Sequence, residues 1–304
     1  MTSSSASAEP AASEVGPWLG FATCSLIWGS TFLVISIGND ALAPVWAATL
    51  RLGLATLLLG AWARARGTPL PRGPALRAAI GYGVTQFGVN FPLLYWAEQR
   101  VPSGLSAVVY ATIPLSSALM TRAFGLERLT PQKVGGALVA LAGVALLFSG
   151  AFRHEVAALG LAAILVGATA AALGTVLLKL GPRQDPFAAN AVGSAVSIPI
   201  AAAVSVALGE RHALPSTLAS VWPLLYLTGA GSLGAYVIMS WLVSRWSVTR
   251  TAYVTVVVPV IALGLGSVVR HERLTTVSLA GTALVFVGLF LGMRPGSRRG
   301  SGRP

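Results

Sequence analysis

One formal charge lies well inside an apolar run of this 304-residue chain, Arg51. Burying a cation at the centre of a bilayer costs about 2.5–3.5 kcal/mol on insertion scales, and less nearer an interface. Arg51 stands about seven residues from one end of its run, roughly 10 Å deep at 1.5 Å per residue. It can act as a counter-charge for a carboxylate or as a gate. It can equally tie helix ends together through their carbonyls, or snorkel outward. Other polar or aromatic groups fall near the middle of apolar runs: Trp28, Ser30, Gln86, Asn90, Tyr110, Thr112, Tyr236 and Tyr253. Gln86 and Asn90 are four apart and share one helix face, with Tyr82 a further turn back. Amides can bind both polar ends of a zwitterion while aromatic rings wall its apolar part. The competing role is hydrogen bonding to neighbouring helices, worth about 0.6 kcal/mol each.

Other chemistry is excluded by the same reading. No Asp, Glu or His falls in the middle of a run, so an intramembrane proton relay has no obvious seat. Glu98 is the nearest candidate and reads as a solvated helix end. Lys179 sits near a run's end and reads as an anchor. His154, His212 and His271 fall in connecting segments, without a Ser or Cys at a spacing that makes a nucleophile. No GxxxxGK[ST] phosphate loop occurs. The single cysteine, Cys24, lies in an apolar run and reads as a small buried residue. The expectation is therefore no catalytic set, no metal, no cofactor and no enzyme.

The elements that must position these groups follow from composition. Hydrophobic residues make up 55% of the chain and charged ones 10%, where a soluble domain carries roughly a quarter as charges. The formal charge is +12 and mean hydropathy is +0.75. A nucleic-acid binder would be basic and polar, so that partner is excluded and the lipid bilayer takes its place. Apolar stretches long enough to span, about 20 residues each, fall near 18–37, 44–63, 76–97, 102–122, 133–150, 157–178, 186–208, 219–242, 247–269 and 275–293. No connection exceeds about fifteen residues, which leaves the function to the helical bundle. Fourteen Lys and Arg fall in alternate connections and tails, against five in the others, with Arg51 and the borderline Arg250 left out. The positive-inside rule then places both termini in the cytoplasm, set by Arg64, Arg66, Arg72 and Arg77. Residues 1–17 read as a disordered tail and 294–304 as a basic cytoplasmic tail. The first Lys or Arg is Arg51, so the N-terminus lacks the charge of a cleaved signal.

The tetrapeptide Glu127-Arg128-Leu129-Thr130 recurs as Glu272-Arg273-Leu274-Thr275. The same shift of 145 superposes Pro114 on Pro259, Gly136 on Gly281, Gly143 on Gly288, Trp96 on Trp241 and Gly29-Ser30 on Gly174-Thr175. The chain thus reads as two five-helix units, 18–150 and 151–293. Five is odd, so the second unit enters the membrane the opposite way up. Inverted repeats of this kind mark secondary transporters, whose site lies at the repeat interface near the midplane. Pro114 and Pro259, matched and mid-run, are candidate kink pivots that would free the carbonyls of Tyr110 and Thr255. They can also be packing kinks alone. Gly288 and Gly292 form a GxxxG, for intramolecular packing or a weak homodimer through the last helix.

These residues carry a resemblance. Trp28-Gly29-Ser30-Thr31-Phe32, Pro44 with Arg51, and Pro114 followed by Glu127-Arg128-Leu129-Thr130, Gly136 and Gly143 resemble the EamA-type branch of the drug/metabolite transporter superfamily. The likeness covers nearly all of residues 18–293, although Val196 stands opposite Arg51 in the second half. It implies an all-α polytopic membrane protein, with ten transmembrane helices as two inverted five-helix repeats around a central cavity. It also implies export or exchange of small metabolites such as amino acids across a bacterial-type inner membrane. The polar set names no substrate, and a passive channel or a non-transporting scaffold subunit would keep the same fold.

Overall fold

The structure, a computed structural model, describes residues 15–101, 103–147, 158–269 and 275–294. Both expected tails, apart from their inner ends, lie outside the described residues. So do His154, His271 and the second tetrapeptide except Thr275. Among the described residues all regular structure is helical. That is what chains dominated by Ala, Leu, Val and Gly must do away from water, since a helix satisfies its own backbone.

Ten helical stretches emerge among the described residues, each starting within about three residues of an expected run. Helices one (Val15–Asn39), two (Pro44–Ala65), six (Ala158–Leu180) and seven (Pro186–Ala207) are continuous. Helices five (Pro131–Leu147) and ten (Thr276–Met293) are shorter. Helix three covers 73–97 and contains a π-helical segment, Val84–Val89. Helix eight, Leu218–Arg245, contains another, Leu227–Tyr236. Helix four is Ser103–Tyr110 and Ile113–Ala123 around a turn at 111–112, and helix nine is Val248–Ala252 and Val254–Val269 around Tyr253. Five of the ten, helices one, two, six, seven and eight, are long and apolar enough on their own to cross a membrane.

The shift of 145 carries into three dimensions. Added to the start of each of helices one to five, it lands within about three residues of the start of helices six to ten. It also lays 84–89 on 229–234, inside the second π segment. Packing is reciprocal in the same way. Helix five lies along helix ten and helix two along helix seven, each helix against its own counterpart. Helix one packs on nine as six packs on four, and three packs on six as eight packs on one.

Glycines set the closest approaches. A Cβ added to Gly143 would stand 2.6 Å from the Val285 nitrogen and 2.8 Å from the Gly281 oxygen, so helices five and ten meet backbone to backbone. Gly136 and Gly288 meet the facing backbone at Gly292 and Ala140 in the same seam. The GxxxG of helix ten is thus used within the chain, as small residues at membrane helix contacts are. Outside this interior, Leu57, Leu159, Leu218 and Phe290 are among many large apolar side chains left exposed. An apolar outer surface is what lipid requires.

Two glutamates join the halves. Glu127 of the repeated tetrapeptide accepts from the Thr249 N–H at 3.2 Å, at the start of helix nine, and from Lys133 at 2.6 Å. Glu210 accepts the N–H groups of Val45 and Trp46 at 3.0 and 2.8 Å, closing the N-terminus of helix two. Carboxylates there satisfy orphan donors and complement the helix dipole. Glu98 departs from expectation. It is 8% exposed, because helix three ends inside the bundle, with Ala97 and Val101 also buried around it.

Candidate functional site

A cavity lies at the centre of the bundle. It holds about 70 Å³, room for roughly five waters. Its wall comes from helices one, three, four, six, eight and nine, and from Arg51 of helix two. The lining is mainly apolar and aromatic. Tyr236 packs against Trp28 at 5.1 Å and Phe87 at 4.9 Å between ring centroids. Across from them Phe32 meets Tyr110 edge-on at 5.5 Å.

Both π segments sit at this level, and their loosened backbone groups are taken up by neighbours. In helix three, Thr85 donates back to the Gly81 oxygen at 2.8 Å and Ser197 donates to the Gly83 oxygen at 2.8 Å. In helix eight, the Cys24 thiol donates to the Ala235 oxygen at 3.1 Å, and Asn190 Nδ2 donates to the Tyr236 oxygen at 3.3 Å. Irregular helix is tolerated at membrane depth only where protein or a cavity receives its backbone. The bulges shift the side chains in and just after them, so that Gln86, Asn90 and Phe91 on one side and Tyr236 on the other converge on the cavity.

The amides are not equivalent. Asn90 is the more firmly engaged: Nδ2 donates to the Gln86 oxygen at 3.2 Å, and Oδ1 accepts a short bond from the Tyr110 hydroxyl. Gln86 donates to the Tyr236 hydroxyl at 3.5 Å, the long limit of a hydrogen bond. Gln86 is therefore the amide more readily turned to a ligand.

Arg51 is 3% exposed and lines the cavity wall. Nε donates to Ser232 Oγ at 3.0 Å and Nη1 to the Tyr95 hydroxyl at 3.1 Å, while Cζ lies 4.7 Å from the centre of the Phe91 ring. Those partners are neutral. Arg51 reaches no helix-end carbonyl and does not snorkel. Among the described residues the ion pair is Lys133–Glu127, and no Asp or Glu lines the cavity. Among the described residues Nη2 makes no hydrogen bond, and it stands so near Gly231 that an added Cβ would be 2.7 Å from it. A guanidinium has five donors in a fixed fork matched to a carboxylate. Here part of that fork is unmatched among the described residues, on a side chain that lines a mostly apolar cavity. Arg51 and Ile35 also line a smaller hollow of about 10 Å³ beyond the cavity, between the ends of helices one, two and eight.

The sequence pattern of the EamA-like transporter family matches residues 17–149 and, separately, 158–294. The chain belongs to that family. This EamA-like chain is 35% identical over 273 residues to the uncharacterized inner membrane transporter YedA of Escherichia coli, covering 86% of this chain and 85% of that one. It is 28% identical to the probable amino-acid metabolite efflux pump of Salmonella typhimurium, covering 88% and 91%. It is 27% identical to the probable terminal-alkyne amino-acid exporter of Streptantibioticus cattleyicolor, covering 87% and 89%. One solved crystal structure superposes with a TM-score of 0.71 over 92% of this chain and 98% of that one, at 22% identity, a likeness of fold. The family and these relatives are transporters, and the chain is a multi-pass membrane protein.

Of the residues singled out in the sequence of this EamA-like protein, Trp28, Arg51, Gln86, Asn90, Tyr110 and Tyr236 meet at the cavity. Ser30 does not: it bonds the Ile27 oxygen at 2.7 Å and the Tyr226 hydroxyl at 2.5 Å, on the face toward helix eight. Tyr253 is fully buried away from the cavity. It donates to the Lys133 oxygen at 3.3 Å and packs against Gly292. Pro114 follows the break at 111–112 directly, whereas Pro259 lies within Val254–Val269, six residues after the break at Tyr253. Sequence reasoning passed over Tyr95, Ser232 and Asn190. Asn190 receives the Tyr82 hydroxyl at 3.1 Å and donates to Ser240 at 2.8 Å. An Asn within an apolar run was a usable signal there. Tyr95 and Ser232 gave none, since nothing in their spacing links them to Arg51.

Proposed function

We propose that the chain is a secondary transporter that exports or exchanges small carboxylate-bearing metabolites, amino acids or related compounds, by alternating access. The observation that carries this reading is Arg51, a buried cation with neutral partners and a free edge on a central cavity. A substrate carboxylate would complete its fork. The ring wall of Trp28, Phe91 and Tyr236 would take the apolar part, and Gln86 a remaining polar end. The amino-acid exporters among the relatives support the substrate class. Reciprocal packing of helices one to five with six to ten supports two inverted repeats, 18–150 and 151–293, as ten spans that rock about the cavity. Basic residues concentrated in alternate connections support an inner-membrane orientation with both termini in the cytoplasm. The family and the relatives, transporters by name, support a reading of transport rather than catalysis.

The test is counterflow with purified protein in liposomes preloaded in turn with amino acids, nucleosides, sugars and lipophilic cations, with and without a pH gradient. Saturable counterflow of a carboxylate-bearing class supports the reading. Flux without counterflow makes the protein a channel. Absence of flux across the panel points to a scaffold. Saturable counterflow confined to lipophilic cations would overturn the role given to Arg51.

A further inference from the structure

A second hollow lies at the other end of the path from the small one beside Arg51. It forms where helix six ends, the 181–185 connection turns, and helix eight reaches its last turn. It holds about 150 Å³, room for roughly ten waters. Lys179, Arg183, Gln184 and Ser244 line it, and no Asp or Glu does. Asp185, the carboxylate nearest in sequence, is committed to the N-cap of helix seven, accepting from Phe187 and Ala188 at 2.9 and 3.0 Å, and Glu127, whose charge acts on Lys179, is held by Lys133 and the Thr249 N–H. The oxygen of the Gln184 side chain is buried and accepts no hydrogen bond. Two cations line one space with no lining carboxylate to neutralise them, a setting suited to the carboxylate of a substrate.

Lys179 also holds this end of the bundle together. Its amine donates to the Val243 oxygen at 2.6 Å and the Trp246 oxygen at 3.1 Å, which are orphan carbonyls at the end of helix eight. Leu178, Ser240 and Val243 line both this hollow and the central cavity, so the partition between them is one side chain thick. Leu178 neighbours the latch, and Val243 is what the latch holds. An anion that draws Lys179 away from the Val243 oxygen frees that end of helix eight.

We infer that this hollow is a loading site for the carboxylate end of the substrate, and that Leu178 with Val243 forms a gate latched by Lys179. In the proposed orientation it opens to the cytoplasm, where an exporter collects its cargo. The inference rests on the carrier reading, but its test does not depend on transport.

Ser244→Cys would be placed in a Cys24→Ala background of the full-length protein, purified into nanodiscs. Its modification would be timed with anionic sulfonatoethyl and cationic trimethylammonioethyl methanethiosulfonate. The anionic-to-cationic rate ratio should exceed that of a free thiol, and should fall about tenfold when Lys179→Gln and Arg183→Gln are combined, as Coulomb attraction over a few ångströms predicts. Arg183 is exposed, so Arg183→Gln alone should lower the ratio without disturbing the fold. A free-thiol ratio that the variants leave unchanged overturns the loading site, even if counterflow is found. The gate is read separately with Ser117→Cys, buried in the central cavity. Lys179→Gln should speed its modification several-fold, whereas Arg183→Gln should not. Equal rates in both variants would remove the latch. A charge-selective hollow in a protein without counterflow would leave an anion site standing and sink the carrier reading instead.

Discussion

Arg51 is where the chemistry is most constrained. Its two hydroxyl partners and the Phe91 face hold the guanidinium in one plane, so the free edge is preorganised rather than recruited. Lysine would keep the charge and lose the fork. Arg51→Lys is therefore expected to cut carboxylate transport by about ten- to a hundredfold, the worth of a charge-assisted hydrogen bond, with normal membrane insertion. Wild-type counterflow in that variant would remove Arg51 from the site. Gln86 and Asn90 should separate in the same assay. Gln86→Ala is expected to raise the half-saturation concentration several-fold and leave the melting temperature unchanged, because its bond to Tyr236 is long. Asn90→Ala should lower both flux and melting temperature, because Tyr110 and the helix-three backbone lose their partner. A melting temperature that falls equally in the two would show that neither amide is kept for a ligand.

At the scale of elements, the two π segments do the positioning, and they illustrate what a sequence can and cannot disclose. Helix existence follows from composition, since apolar runs of twenty residues have few alternatives. The shift of 145 was equally legible, because a tetrapeptide with a Glu stands out in a chain holding seven of them. A π turn leaves no such mark. It depends on which neighbour takes the loosened carbonyls: Ser197 for Gly83, Cys24 for Ala235. Those partners lie more than a hundred residues away, so the bulges and the pairing of Arg51 with Ser232 were invisible to spacing. Trp28 and Tyr236 were legible as aromatics in mid-run, while Ser30 and Tyr253, chosen by the same rule, point to other helices. Backbone contact at the base of the first bulge gives a sharp test. A Cβ on Gly83 would meet the Gly193 backbone, which cannot move aside as a side chain can. Gly83→Ala is expected to destabilise by about 1–3 kcal/mol, the range for overpacking, seen as a lower melting temperature in detergent. Gly60→Ala, with nothing within 4 Å of the new methyl, should leave it unchanged. Equal melting in both would mean that helices three and seven are not in backbone contact.

At the scale of the molecule, hollows occur at the Lys179 end, in the middle of the bundle and beyond Arg51. The space is about 150 Å³ at the Lys179 end, 70 Å³ in the middle and 10 Å³ beyond Arg51. In the proposed carrier, rocking of the two five-helix units would open one end as it closes the other, moving access without moving the site. The Lys179 end serves export in the proposed carrier only if it faces the cytoplasm, and charge is what decides that. Arg64, Arg66, Arg72 and Arg77 crowd the connection between helices two and three, whereas the corresponding connection of the second half holds Glu210, Arg211 and His212. Orientation in such proteins follows the Lys and Arg of short loops. Replacing those four arginines by glutamine should therefore yield a mixed population, and adding three arginines between Arg211 and Thr217 should drive it further toward inversion. Single cysteines in the two connections, labelled from outside intact cells with an impermeant maleimide, would report the fraction of each. Labelling confined to the 210–217 connection in wild type is the expected result. Wild-type labelling at 66–72 would put the Lys179 end outside and turn the proposed exporter into an importer.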